Sequence, residues 1–145
     1  MLLTPATAQT TLFAVLLVLC LKALLLGMAT AAMRGKSKSF MNQEDAEWLG
    51  GAHNPVDPDH IGRIGRAHRN DLENLLLFAI TGGIVLLLGA APLAITIYAL
   101  GFLLARLLHT LAYLKAMPLL RRNAYTLGFV IIIAQAVHSA VVMLG

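Results

Sequence analysis

Four apolar stretches, each close to 20 residues or longer, occupy most of this chain: Thr10 to Met33, Asn70 to Leu88, Pro92 to Lys115 and Ala124 to Leu144. A helix that crosses a bilayer needs roughly 20 predominantly apolar residues. Backbone polar groups in lipid must be satisfied within the spanning segment, which leaves helices as the simplest solution for segments of this length. The expected fold is therefore all-α and integral to the membrane, an up-down bundle of four transmembrane helices. Allowing for polar helix ends, the helices are expected at about 10–33, 62–88, 92–116 and 121–144, joined by a loop over 34–61, with 1–145 as one domain. Composition agrees: 59% of the residues are hydrophobic and 12% are charged, against about 25% charged in soluble domains. The first stretch is too long, and too weakly basic at its start, to read as a cleaved leader.

Charge placement orients the bundle. Nine of the eleven Lys and Arg lie in or beside the first and third connections (Arg34, Lys36, Lys38, Arg63, Arg66, Arg69, Lys115, Arg121, Arg122). The second connection, Gly89-Ala90-Ala91-Pro92, has none, nor do the tails. The positive-inside rule puts both basic connections in the cytoplasm and both termini outside it. The net charge of +4 thus reflects topology, and no basic domain with interleaved aromatics suggests nucleic acid as a partner. Cys20, the single cysteine, reads as a small packing residue in the first helix, where an apolar setting disfavours its thiolate. No metal site is expected.

The polar residues that remain are arranged on faces. Arg66, Arg69, Asn70 and Glu73 stand at i, i+3, i+4 and i+7, one side of a helix. Two guanidinium forks, an amide and a carboxylate suit a small zwitterion with carboxylate and ammonium groups. Arg106, His109 and Tyr113 share a face of the third helix. Arg106 lies roughly 15 Å from the cytoplasmic end, too deep for lipid, so it faces protein or a wet cavity. One reading pairs it with a carboxylate of the second helix, Glu73 being nearest in depth. His109 reads as an interhelical hydrogen-bonder or a site residue, and Tyr113 as an interfacial tyrosine or a site residue. Arg121 and Tyr125, at i and i+4, share a face of the fourth helix. Lys22, inside the first helix, calls for a carboxylate partner that the sequence does not name. In the loop, Asn42 to Glu47 opens a short helix with Asn42 as its cap, broken by Gly50-Gly51.

The run Arg66-Ala67-His68-Arg69-Asn70-Asp71-Leu72-Glu73, the segment Arg106 to Tyr113, and Arg121 with Tyr125-Thr126-Leu127 together resemble the MAPEG family, membrane-associated proteins in eicosanoid and glutathione metabolism. Lys22, Arg34, Phe40, Asn42, Glu44-Asp45-Ala46, Gly50-Gly51 and Asp57-Pro58-Asp59 extend the likeness over nearly the whole chain. The resemblance implies a homotrimer with glutathione as cofactor, bound between subunits in the cytoplasmic half of the bilayer. Position by position it implies that Arg66, Arg69, Asn70, Glu73, His109, Tyr113, Arg121 and Tyr125 contact glutathione, that Arg34 is supplied by the neighbouring subunit, and that Asp45 lies near the reactive centre. Arg121 is expected to favour the thiolate. Arg122 stands where the family's prostaglandin-synthesising branch has a serine, and adjacent arginines look more like a general glutathione transferase.

The expected activity is therefore a glutathione-dependent membrane transferase or peroxidase acting on a lipophilic electrophile or hydroperoxide. The alternatives are an isomerase of the prostaglandin-E-synthase kind and a non-catalytic lipid-binding scaffold of the same family. A small multidrug exporter is disfavoured, because such exporters use a carboxylate in the first helix and this one has only Lys22. The Ala/Leu/Gly-rich bias suggests a bacterial inner membrane, or the endoplasmic reticulum if the source is eukaryotic.

Overall fold

The computed structural model describes residues 4–145. In chain order the elements are α1 (Pro5–Ser37), β1 (Ser39–Phe40), α2 (Gln43–Leu49), β2 (Ala52–His53), α3 (Asp59–Leu87), α4 (Pro92–Leu114) and α5 (Pro118–Leu144). The helices α1, α3, α4 and α5 are long and apolar enough to cross a membrane, and the protein is an all-α multi-pass membrane bundle.

Local chemistry sets the helix ends. α1, α4 and α5 begin with Pro in the first turn, where the missing N–H costs nothing. The Thr4 hydroxyl caps α1 by accepting from the Thr7 N–H at 3.2 Å. Gly89, with φ +72°, makes the tight turn between α3 and α4. Ala116 adopts the left-handed region (φ 54°) just before Pro118 stops and restarts the chain. That non-glycine strain is sustained by a helix-ending hydrogen bond from Met117 N to Ala112 O at 2.8 Å.

The loop between α1 and α3 is ordered. β1 and β2 pair in parallel, Ser39 opposite Ala52 and Phe40 opposite His53, and α2 bridges them. Gly51 is obligatory there: a Cβ at this position would lie 2.6 Å from the Lys38 carbonyl oxygen and 2.6 Å from the Phe40 ring. Asn42 occupies the cap position of α2, but its side chain does not cap the backbone. Its Nδ2 donates to Asp45 Oδ2 at 3.0 Å.

Contacts show the alternation of the bundle. α3 runs antiparallel to α1 (Leu12 beside Gly82, Gly27 beside His68), and α5 antiparallel to α4 (Gly128 against Phe102 and Ala105). The core centres on Phe78 and Phe102, stacked with centroids 3.9 Å apart, with Leu12, Val15, Leu19 and Ile132 around them. Small residues at the crossings bring the helices close, as membrane helices require. Much of each helix faces outward and carries large apolar side chains such as Leu17, Leu24, Leu76 and Ile133. Cys20 lies on this outer surface of α1, not in the packed interior, since the inward positions are Leu12, Val15, Leu19 and Ala23.

Candidate functional site

α3 buries Ala67, Asp71, Asn74 and Phe78, an i, i+4, i+7, i+11 stripe facing the other helices. This puts Asp71 inside the bundle, 3% exposed. Lys22 of α1 pairs with its Oδ2 at 2.7 Å. Arg106 of α4 donates to its Oδ1 from Nη2 (2.8 Å) and Nε (3.1 Å), and Thr110 approaches Oδ2 at 3.4 Å. Lys22 Nζ also donates to the Arg106 carbonyl oxygen and to Thr110 Oγ1, each at 2.9 Å. The partner of Arg106 is thus Asp71, not Glu73. The two carboxylates are two residues apart and on different sides of the helix, and Glu73 faces outward. The same aspartate answers the demand of Lys22. Two cations around one anion are hydrogen-bonded on several sides, as buried charges must be.

From this cluster Arg106 reaches toward the end of the bundle where α4 meets α5. Its Nη2 lies 2.7 Å from Asn70 Oδ1 and 3.0 Å from His109 Nδ1. Asn70 and His109 then line a cleft of about 360 Å³ with Tyr113, Arg121, Arg122 and Tyr125. The His109 ring packs edge-on against Tyr113 with centroids 5.0 Å apart and lies 6.2 Å from the Tyr125 ring. The Arg121 guanidinium sits over the Tyr113 ring, 5.0 Å from its centroid, a cation–π contact that aims the charge. No carboxylate lines this cleft among the described residues. It presents two guanidinium groups, an amide, an imidazole and two phenols, a surface suited to an anionic or electron-rich ligand.

A second cleft, of about 370 Å³, opens on the other flank of α3, against α1. It is lined by Gly27, Thr30, Ala31, Arg34, Gly65, His68, Arg69 and Leu72. Arg34 is held in a bidentate pair by Asp57, Nε to Oδ1 at 2.8 Å and Nη2 to Oδ2 at 2.7 Å. Arg66 pairs with Asp59 at 3.1 Å, which Arg63 also binds. Glu73 and Arg69 make no ion pair among the described residues and are exposed. Asp45, on α2, lines neither cleft.

The structure therefore brings Asn70, His109, Tyr113, Arg121, Arg122 and Tyr125 together, and places Arg34 and Arg69 in a different cleft of the same subunit. The stripe Arg66, Arg69, Asn70 and Glu73 is one angular face, but Asn70 and Arg69 border different clefts. Sequence reasoning missed Asp71 as the hub. The available signal was its membership of the apolar stripe of α3, where a lone carboxylate marks a buried partner. His68, which lines the second cleft, was missed as well.

Comparison with known proteins identifies the family of the chain. The MAPEG family profile matches residues 11–141. The chain is 41% identical over 112 residues to prostaglandin E synthase from Mus musculus, covering 76% of this chain and 72% of that protein. It is 38% identical over 112 residues to the Homo sapiens prostaglandin E synthase, covering 76% and 73%. Microsomal glutathione S-transferase 1 from Homo sapiens is 37% identical over 101 residues, covering 67% of this chain and 65% of that protein. With a family match over most of its length, and relatives of this similarity, the chain belongs to the MAPEG family.

Proposed function

We propose that the protein is a glutathione-dependent membrane enzyme, a transferase with peroxidase capacity toward lipophilic substrates. The observation that carries this reading is the cleft at Asn70, His109, Tyr113, Arg121, Arg122 and Tyr125, rich in hydrogen-bond donors and lined by no carboxylate among the described residues. Similarity to a glutathione S-transferase and to prostaglandin E synthases supports it.

Each subunit holds two partial clefts on opposite flanks of α3. A head-to-tail contact repeated around a closed ring sets the first cleft of one subunit against the second cleft of the next. The proposed assembly is a homotrimer in which Arg34 of one subunit completes the glutathione site of its neighbour. Arg34, Arg66 and Arg69 suit the two carboxylates of glutathione and Glu73 its ammonium group. Asn70, His109, Tyr113 and Tyr125 contact the rest of the tripeptide.

Arg121 stabilises the thiolate, with the proton leaving to water, since an adjacent guanidinium favours an anion by charge and hydrogen bonding. Arg122 adds positive charge beside it. Asp45, on α2, is assigned to the reactive centre by the family likeness alone. In conjugation the sulfur forms a bond to an electrophilic carbon and the leaving group departs. In peroxide reduction two glutathiones give up two electrons, forming the disulfide while the hydroperoxide becomes an alcohol and water.

An isomerase acting on a prostaglandin endoperoxide is the second reading, favoured by the identity to prostaglandin E synthases. Arg122 in place of a hydroxyl residue weighs against it. In the proposed topology both termini lie outside the cytoplasm, a reading supported by the positive-inside rule, and the composition suits a bacterial inner membrane.

The test is a glutathione titration of the purified protein in detergent. Thiolate absorbance in the near ultraviolet and turnover of 1-chloro-2,4-dinitrobenzene are read in the same sample. Saturable thiolate formation with turnover is the expected result. Saturable binding without either signal would leave a scaffold, and absence of binding would overturn the glutathione reading.

A further inference from the structure

We propose that Arg106 is a positioning residue that turns Asn70 and His109 so that both present only N–H donors to the cleft. A guanidinium has five N–H donors and no acceptor. The atom of Asn70 that lies 2.7 Å from Arg106 Nη2 is therefore its carboxamide oxygen, and the amide NH2 is the end left for the cleft. The ring nitrogen of His109 that lies 3.0 Å from the same Nη2 must offer a lone pair. The ring is then in its Nε2–H tautomer, and Nε2–H is the edge left for a ligand. Neither Asn70 Nδ2 nor His109 Nε2 has a hydrogen-bond partner among the described residues, whereas both acceptor atoms are engaged.

Arg106 can impose this because it is itself fixed. It is 1% exposed, and Asp71 grips its Nε and Nη2. Asp71 is anchored in turn by Lys22 from the first helix. Nη2 has two hydrogens for three acceptors, so one hydrogen is shared; a flipped Asn70 amide, or a His109 ring protonated on Nδ1, would place two donors head to head. The consequence is a rule for what the cleft accepts. Arg121 and Arg122 can only donate, and Asn70 and His109 are converted into donors by Arg106. A ligand group with lone pairs, a thiolate or carboxylate, meets donors on every side, and one that offers only N–H or O–H finds the two phenol oxygens alone. This rests on the proposed glutathione site only for the identity of the ligand.

Magic-angle-spinning NMR of the full-length protein in lipid bilayers, with 15N-histidine and 15N-arginine, tests the proposal without a ligand. The chain has five histidines, and subtraction of the His109→Gln spectrum assigns His109. The expected spectrum shows a pyridine-type Nδ1 and a pyrrole-type Nε2, with a through-hydrogen-bond correlation from Nδ1 to an arginine side-chain nitrogen. A protonated Nδ1, or an unprotonated one with no arginine correlation, overturns the proposal.

Arg106→Met leaves Lys22 and Asp71 as a neutral pair and is the matching variant. His109 is expected to become a tautomer mixture there, with glutathione half-saturation rising about tenfold. An unchanged tautomer in that variant also overturns the proposal. Should Arg106→Met fail to fold, the nitrogen–nitrogen correlation in the unsubstituted protein decides. Failure of glutathione to bind the unsubstituted protein bears on the proposed function and not on the tautomer.

Discussion

The Arg121 guanidinium lies over the Tyr113 ring, its carbon 5.0 Å from the centroid, so a residue of α5 is aimed by one of α4. Replacing Arg121 by Leu is expected to cut turnover on the order of 100-fold, the scale of losing one oriented charge at a developing anion. Glutathione affinity should fall much less. Tyr113→Phe keeps the aromatic face and should retain more turnover than Tyr113→Leu. Steady-state kinetics beside a glutathione titration separates the two effects, and equal losses of turnover and affinity in Arg121→Leu would reduce Arg121 to a binding group.

Asp71 is the single anion holding Lys22 and Arg106. Asp71→Asn leaves buried Arg106 and half-buried Lys22 without a counter-charge, a change that for a buried pair typically costs about 3–5 kcal/mol. Lys22→Met, by contrast, leaves the Asp71–Arg106 pair intact and should be milder. Thermal unfolding of the detergent-solubilised protein is expected to rank Asp71→Asn well below Lys22→Met, and the reverse order would contradict the network described above.

Arg34 and Arg121 lie in different clefts of one subunit. If neighbours complete each other's site, Arg34→Ala and Arg121→Leu subunits should complement when co-expressed. With random mixing at equal amounts, about one interface in four carries both intact halves. Activity near that fraction of the unsubstituted level is the expected outcome. Activity no greater than that of the two variants measured separately would place both arginines in a site within one subunit.

Gly51 closes the loop against the Lys38 carbonyl and the Phe40 ring. Gly51→Ala forces the paired strands apart and should cost on the order of 2 kcal/mol locally. Faster proteolysis between Phe40 and Pro58, with the membrane helices left protected, is the readout. Gly50→Ala has open space around its Cβ but sits at φ +64°, so its effect should come from backbone strain alone and be smaller.

The membrane helices were legible because lipid imposes a length and a polarity on them that few other constraints override. The polar face of Arg106 and His109 was legible too, since both are buried where the i, i+3 spacing puts them. The partner of Arg106 was not. Depth along α3 suggested Glu73, but depth says nothing about azimuth, and two residues along a helix turn a side chain through about 200°. Asp71 points inward and Glu73 outward for that reason. Asn42 shows a related limit: its position at the start of α2 was readable, but its bond to the Asp45 carboxylate and the lack of a side-chain cap depend on where the side chains settle. The division of the arginines between two flanks of α3 depends on which helix packs on which side, and periodicity within a single helix does not carry that information.

Asp57 and Asp59 give the mouth of the second cleft a further property. Arg34 and Arg66 already hold carboxylates supplied by the chain itself. An acidic ligand arriving there exchanges with a resident acid and does not simply fill a vacant cationic seat. The segment before α3 that carries Asp57 is tethered to α1 by Arg34, a group that such a ligand competes for, so occupancy and loop freedom become two readings of one equilibrium.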